Sequence, residues 1–167
     1  MRRWRPGDRE PFTALNADPV VMRHFPTPLE RAASDAMFDR LSAALERDGY
    51  GLWALERRGS GEFVGFTGLA PMPAWSPGAG ELEVAWRLAA RFWGHGLATE
   101  AAGAARDLAF QLLGRRQLWS LTAAVNEPSI AVMRRIGLGY HCELGHPAIA
   151  PGHRLHRHVF YRADSPG

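Results

Sequence analysis

Glu81-Leu-Glu-Val-Ala-Trp-Arg-Leu-Ala-Ala-Arg-Phe-Trp-Gly-His-Gly-Leu-Ala-Thr-Glu100 decides the fold of this chain. Its first half alternates strictly. Leu82, Val84, Trp86 and Leu88 fall on one face, and Glu81, Glu83, Ala85 and Arg87 on the other, which is the pattern of a half-buried strand. The alternation breaks at a turn carrying Gly94 and Gly96. Beyond it Leu97, Ala101, Ala105, Leu108 and Leu112 recur at helical spacing, widened by Ala98, Ala102 and Ala109. A strand that ends in a glycine loop opening a helix makes a place for an anion. Exposed N–H groups of the loop and first helical turn point outward, and the positive end of the helix dipole lies there. Glycines let a ligand approach the backbone closely. The loop lacks the Lys-Ser/Thr end of a nucleotide P-loop and the three-glycine dinucleotide fingerprint, which disfavours an NAD site.

Downstream, Gly114 to Gln117 turns the chain into a strand over Leu118 to Val125. A strand, a crossover helix and a further strand are normally right-handed and parallel, so the Glu81 and Leu118 strands are expected to be parallel neighbours. Asn126-Glu127-Pro128-Ser129 opens a helix that stops at Gly137. Strands near Leu138 to Leu144 and His156 to Arg162 follow, around a loop through Pro147 to His153.

Upstream, Arg2 to Arg5 reads as the tail of a first strand cut by Pro6-Gly7, and Asp8 as the N-cap of a short helix to about Ala17. Thr27-Pro28-Leu29-Glu30 has the form of a capping box for a helix running to Asp48, with Gly49 as its stop. Leu29, Ala33, Ala36, Met37, Leu41, Ala44 and Leu45 are its expected core stripe. Tyr50 to Glu56 and Glu62 to Leu69 read as strands joined by the glycine-bearing turn Arg57 to Gly61, and Ala70 to Gly80 as a loop.

Composition fits a single globular domain over residues 1–167, with 46% apolar and 22% charged residues. The formal charge is +3, but the arginines are scattered rather than massed, which disfavours nucleic acid as a partner. One cysteine, Cys142, cannot form an internal disulfide, so a reduced, cytoplasmic setting is expected. No apolar h-region follows the basic N-terminus, and no run of about 18 apolar residues offers a membrane span.

Arg91-x-x-Gly94-x-Gly96 resembles the acyl-CoA pyrophosphate loop of the GNAT superfamily of N-acetyltransferases. Glu83 to Leu88, Phe92 to Ala101, the Asn126-x-x-Ser129-x-x-x-Met133-x-x-x-Gly137 block, His146-Pro147 and His158-Val159-Phe160-Tyr161 are similar to its RimJ/RimL-type branch. The resemblance implies an α/β fold of the α+β kind. Its mixed, mostly antiparallel sheet would have about six or seven strands flanked by about four helices, with a parallel pair that splays apart. The family's first strand starts several residues earlier, so the chain start is expected to be short or truncated.

The resemblance also implies acetyl-CoA as cosubstrate and an amine as acceptor, with no metal and no membrane; it admits a homodimer. Backbone from Val84 through Ala85 and Trp86 to Leu88 would pair with the pantetheine arm, as an added strand pairs with a sheet edge. Amides of Arg91, Gly94, His95, Gly96, Leu97, Ala98 and Thr99 would hold the pyrophosphate, with Arg91 adding charge. An N–H near Ala85 or Trp86 would stabilise the oxyanion. The acceptor, a protein N-terminus or a small-molecule amine, must lose a proton first, because ammonium groups titrate near ~8 to ~10.

Glu83 is the first candidate for the base, directly or through water, with Glu81 second. The rival reading of Glu83 is a solvated carboxylate or an ion pair to Arg87. Many relatives place a tyrosine where this chain has Met133, so Ser129 becomes the candidate donor to the departing thiolate, with Asn126 holding coenzyme A or the acceptor. Helix capping is the rival reading of both. A non-catalytic acyl-CoA-binding or sensing module is the alternative for the whole domain. The histidines His141, His146, His153, His156 and His158 match no closed ligand set and are read as structural or acceptor-side groups. Phe25, Pro26 and the Ala70 to Gly80 loop are expected to wall the acceptor pocket.

Overall fold

The computed structural model describes residues 1–165, so the last two residues of the expected domain span lie outside the described residues. The element order is α1 (Arg9–Ala17), α2 (Arg31–Asp48), β1 (Leu52–Glu56), β2 (Phe63–Pro71), β3 (Leu82–Leu88), α3 (Leu97–Gln111), β4 (Gln117–Ala123), α4 (Glu127–Arg135), β5 (Gly139–Gly145) and β6 (Arg157–Asp164). Six strands form one sheet in the order β1-β2-β3-β4-β6-β5. All pairings are antiparallel except β3 with β4. This is the mixed, mostly antiparallel sheet with four helices and one parallel pair that the family resemblance implied.

The alternation of β3 divides two cores. Val84 and Leu82 are buried with Ala102, Ala105 and Ala109 of α3, with Ile130 and Met133 of α4, and with Leu118 of β4. On the opposite face Phe12 of α1, Phe38 of α2, Leu52, Ala54 and Phe66 form a second cluster, against which Ala85 packs. Burying each large apolar side chain contributes about 1.5–3 kcal/mol relative to exposure, so both helix pairs are held to the sheet by side chains at alternating strand positions.

Close strand contacts explain two glycines. A Cβ at Gly65 would lie 2.2 Å from the Arg87 carbonyl oxygen, and one at Gly68 would lie 2.0 Å from the Gly51 carbonyl oxygen.

Several local expectations are corrected. Arg2 to Arg5 forms only an isolated bridge, Arg2 to Ala54, before a 3-10 turn at Pro6–Asp8. The buried Asp8 carboxylate reaches back to the Arg5 N–H (2.8 Å) and the Arg2 guanidinium (2.6 Å) instead of capping α1, which bends the chain off the sheet edge. Thr27 to Glu30 is not a capping box. The Leu29 N–H donates to the Asn16 carbonyl (2.9 Å), which keeps this segment off the helix, and α2 begins at Arg31 with Glu30 as an N-cap lacking a side-chain bond. The buried face of α2 is Ser34, Phe38 and Leu45, whereas Ala33 and Ala36 are exposed. In α3 the stripe is rotated toward Ala102, Ala105 and Ala109, and Leu112 is 78% exposed. The small side chains let the helix lie close on the sheet, and a leucine stripe would hold it off. Strand β2 extends through Pro71, into the stretch expected to be loop. That end pairs only with β3, because β1 stops opposite Gly68, so the missing proline N–H leaves no gap in a ladder. No helix among the described residues is long and apolar enough to cross a membrane.

Candidate active site

Strands β3 and β4 share a single register pair, Glu83 with Trp119. One residue further, a side chain bridges the strands in place of a ladder bond, as Ser120 Oγ donates to the Val84 carbonyl (2.9 Å). Beyond that point the strands part. The parting opens a cavity of about 1160 Å³ that runs from the Gly94–Glu100 turn to the loops around Phe25, Trp75 and His146.

The phosphate end of this cavity is backbone. Gly94 (φ +80°) and Gly96 (φ +77°) adopt the left-handed conformation, and a Cβ at either would meet nothing within 4 Å, so the loop leaves a hollow rather than a packed turn. Helix α3 starts directly after Gly96 with no side-chain cap. Its first intrahelical bond is from the Glu100 N–H to the Gly96 carbonyl (3.0 Å), so the N–H groups of Leu97, Ala98 and Thr99 have no partner in the helix. Those three residues line the cavity together with Gly94 and Gly96. Unpaired N–H groups at the positive end of a fifteen-residue helix suit a phosphate. Arg91 and His95 stand outside the lining. The Arg91 guanidinium pairs with Glu62 (2.9 Å), and His95 Nδ1 lies 2.8 Å from the Trp93 carbonyl oxygen.

The middle of the cavity holds Glu83, Ala85, Trp86, Leu88, Asn126 and Ser129; Val84 is a core residue whose carbonyl faces Ser120. Among the described residues the Glu83 carboxylate has no hydrogen-bond or ion-pair partner, and burial pushes it up to about 8. The expected rival, a pair with Arg87, is not formed: Arg87 Nη1 donates instead to Asn16 Oδ1 (2.5 Å) of α1. Burial draws the Arg87 guanidinium down to about 10. Asn126 caps α4 by accepting the Ser129 N–H (3.4 Å), while its Nδ2 donates to Thr122 Oγ1 (2.8 Å) and Ser129 Oγ (3.1 Å). Capping and cavity lining thus coincide. Met133 is buried at the position where many GNAT relatives place a tyrosine, and among the described residues no tyrosine lines the cavity.

A chain with this sheet, this parting and this turn matches a family model described as an acetyltransferase (GNAT) domain over residues 1–139. The chain belongs to the GNAT acetyltransferase domain family. The GNAT domain is 34% identical over 137 residues to FsC-acetyl coenzyme A-N(2)-transacetylase of Aspergillus fumigatus, covering 78% of this chain and 57% of that protein. It is 36% identical over 97 residues to the uncharacterized protein YkkB of Bacillus subtilis, covering 55% of this chain and 54% of that one. The chain therefore spans about half the length of these curated relatives. Among solved structures, an acetyltransferase from Agrobacterium tumefaciens superposes with a TM-score of 0.78 at 26% identity, over 98% of this chain and 89% of that chain.

The GNAT cavity also holds groups that sequence reading did not single out. Arg23, Ser120, Thr122 and Arg135 all line it. Ser120 and Thr122 break the apolar run of β4, and that signal was available. Trp75 stacks edge-on to His146 (4.8 Å) and Phe160 (5.5 Å), and His146 lies 5.0 Å from His158. Burial holds His158 below the usual imidazole range. Phe25, Pro26 and the Trp75 loop join the wall, where they were expected. Among the described residues no group of three or more metal-binding side chains is gathered.

Proposed function

We propose that this GNAT domain transfers the acetyl group of acetyl-CoA to a primary amine by direct attack within a ternary complex. The observation that carries the reading is one cavity joining a hollow, uncapped helix start at Gly96 to an unpaired carboxylate at Glu83 and a hydroxyl at Ser129. The residues fit the donor: Gly94, Gly96, Leu97, Ala98 and Thr99 would hold its pyrophosphate, and the parted edge of β3 beyond Ala85 would take the pantetheine arm. Arg91 and His95 contribute backbone only. When bound, the thioester supplies the electrophilic acyl carbon.

The rest is work for side chains of this chain. Glu83, held near neutrality by burial, accepts a proton from the acceptor ammonium, which frees the nitrogen lone pair. The new bond joins that nitrogen to the acyl carbon as the carbon–sulfur bond breaks, and the second proton on that nitrogen passes to the departing sulfur, so that a neutral amide and the coenzyme A thiol result. Ser129 Oγ already accepts from Asn126, so its own hydrogen is left to donate to the departing thiolate. The name of the Aspergillus relative, with acetyl coenzyme A as donor and a nitrogen as acceptor, agrees with this chemistry. The RimJ/RimL-type assignment rests on the Glu83–Leu88 and Phe92–Ala101 blocks and on the ordered tail.

Calorimetric titration with acetyl-CoA tests the donor assignment. One-to-one binding is expected, weakened by about tenfold or more in Gly96→Val, whose side chain would strain the left-handed backbone and fill the hollow. Failure of acetyl-CoA to bind the wild-type protein overturns it.

A further inference from the structure

Arg87 is a cation set into the cavity wall without a counter-ion among the described residues. It shares one face of β3 with Glu83 and Ala85, and all three line the cavity. Among the described residues its one hydrogen bond is to a neutral amide, Asn16 Oδ1, whose own Nδ2 is committed to Ser34 Oγ (2.9 Å) deep in the second core. Its Nε is buried and unpartnered. The rings of Phe25 (4.2 Å) and Phe66 (5.3 Å) face the guanidinium. Arg2, Arg9, Arg31 and Arg91, by contrast, each have a carboxylate. Leaving a desolvated charge uncompensated is costly, so a site that keeps one is built for an anion that arrives with a ligand.

Geometry says which ligand. Two-residue steps along a strand cover about 6.6–6.8 Å, so the Cα atoms of Glu83 and Arg87 stand roughly 13 Å apart. Both side chains are long, and the residue between them, Ala85, is only a methyl, so a small molecule lying over Ala85 spans from one to the other. The cavity's acids are Glu83 and Glu100, against the cations Arg23, Arg87 and Arg135, so a polycationic amine finds little to hold it.

Resting on the acetyltransferase reading above, we infer that the acceptor is an amine bearing a carboxylate on the same molecule, with the carboxylate on Arg87 and the amine at Glu83. Arg87 Nη2, which has no acceptor among the described residues, is the group that takes the carboxylate. The acceptor class is then an amino acid or a compound with an amino-acid head. Phe25, 39% exposed on the connection between α1 and α2, is the ring that shifts to admit it.

The test compares matched pairs, phenylalanine with phenethylamine and lysine with cadaverine, in a coenzyme A thiol-release assay with product mass, for wild type, Arg87→Lys and Arg87→Met. Acetyl-CoA titration of each variant shows that it is folded. In wild type kcat/KM for the carboxylate member exceeds its partner by about 10- to 100-fold, the worth of a charged hydrogen-bonded pair. Arg87→Met brings that ratio toward one, and Arg87→Lys keeps part of it. Equal turnover of both members by wild type, or a preference that survives Arg87→Met, overturns the inference and leaves the acetyltransferase reading standing. No turnover of any amine by a protein that binds acetyl-CoA overturns both.

Discussion

Asn126 and Ser129 are bonded twice: Asn126 Oδ1 accepts the Ser129 N–H (3.4 Å), and Asn126 Nδ2 donates to the Ser129 hydroxyl oxygen (3.1 Å). The second bond fixes the direction of the hydroxyl, because an oxygen that accepts from an amide turns its hydrogen elsewhere. That makes Ser129 a donor in waiting at the cavity wall. Ser129→Ala is therefore expected to lower kcat by about tenfold while the acetyl-CoA dissociation constant stays within about threefold, since a hydrogen bond that matters only as the thiolate leaves is lost from the transition state alone. Steady-state kinetics beside calorimetry checks this, and a loss confined to binding contradicts it.

The pH dependence follows from Glu83. Its carboxyl is pushed up to about 8 by burial, and only the deprotonated form accepts a proton, so kcat/KM for the acceptor should climb as pH rises toward and through 8. Glu83→Gln should lower kcat by about 100-fold and remove that limb, leaving only the titration of the amine. A pH profile measured on both proteins with one amine decides it; an unchanged profile removes Glu83 from the role.

Stability should move the opposite way. The folded state holds the Glu83 proton more tightly than the unfolded chain does, so the contribution of this carboxyl is fully present below its ordinary value of 4.5 and is lost as pH rises through about 8. Glu83→Gln should accordingly raise the stability at pH 9 by on the order of 1–2 kcal/mol after discounting for its partial exposure, seen as a higher melting temperature, and change it little at pH 4. Thermal melts at the two pH values test the sign.

Much of this was legible locally. Alternation from Leu82 to Leu88 gave the strand and its two faces, and the glycines with the alanines after them gave the turn and helix. What failed had non-local causes. The stripe of α3 is rotated toward its alanines because the sheet selects small side chains, and Leu112 is left outside. Thr27 to Glu30 matched a capping box, but a bond from Leu29 to Asn16 keeps the segment extended. Arg87 looked like a partner for Glu83, four residues away; its true partner, Asn16, is 71 residues distant and could not be read from spacing. The imidazole and indole wall of His146, His158 and Trp75 is likewise assembled by folding from separate loops and strands.

Gly65 and Gly94 should part company on substitution. A Cβ at Gly65 would lie 2.2 Å from the Arg87 carbonyl oxygen, between paired strands that cannot yield cheaply, so Gly65→Ala should cost about 3 kcal/mol or more or prevent folding. Gly94→Ala meets nothing within 4 Å and carries only the left-handed backbone penalty of about 1–2 kcal/mol. Urea unfolding of both variants measures the difference.

Acetyl transfer to an amine at the parted β3 and β4 strands is what the proposed function requires. Thiol release from acetyl-CoA, followed with and without added amine and paired with mass spectrometry of the amine, tests it most directly. Release is expected to depend on the amine, with one acetyl group gained per thiol, and both are expected to be lost in Glu83→Gln. Binding of acetyl-CoA with no amine-dependent release and no acetylated product, on any amine with or without a carboxylate, would contradict it and leave an acyl-CoA-binding module in its place.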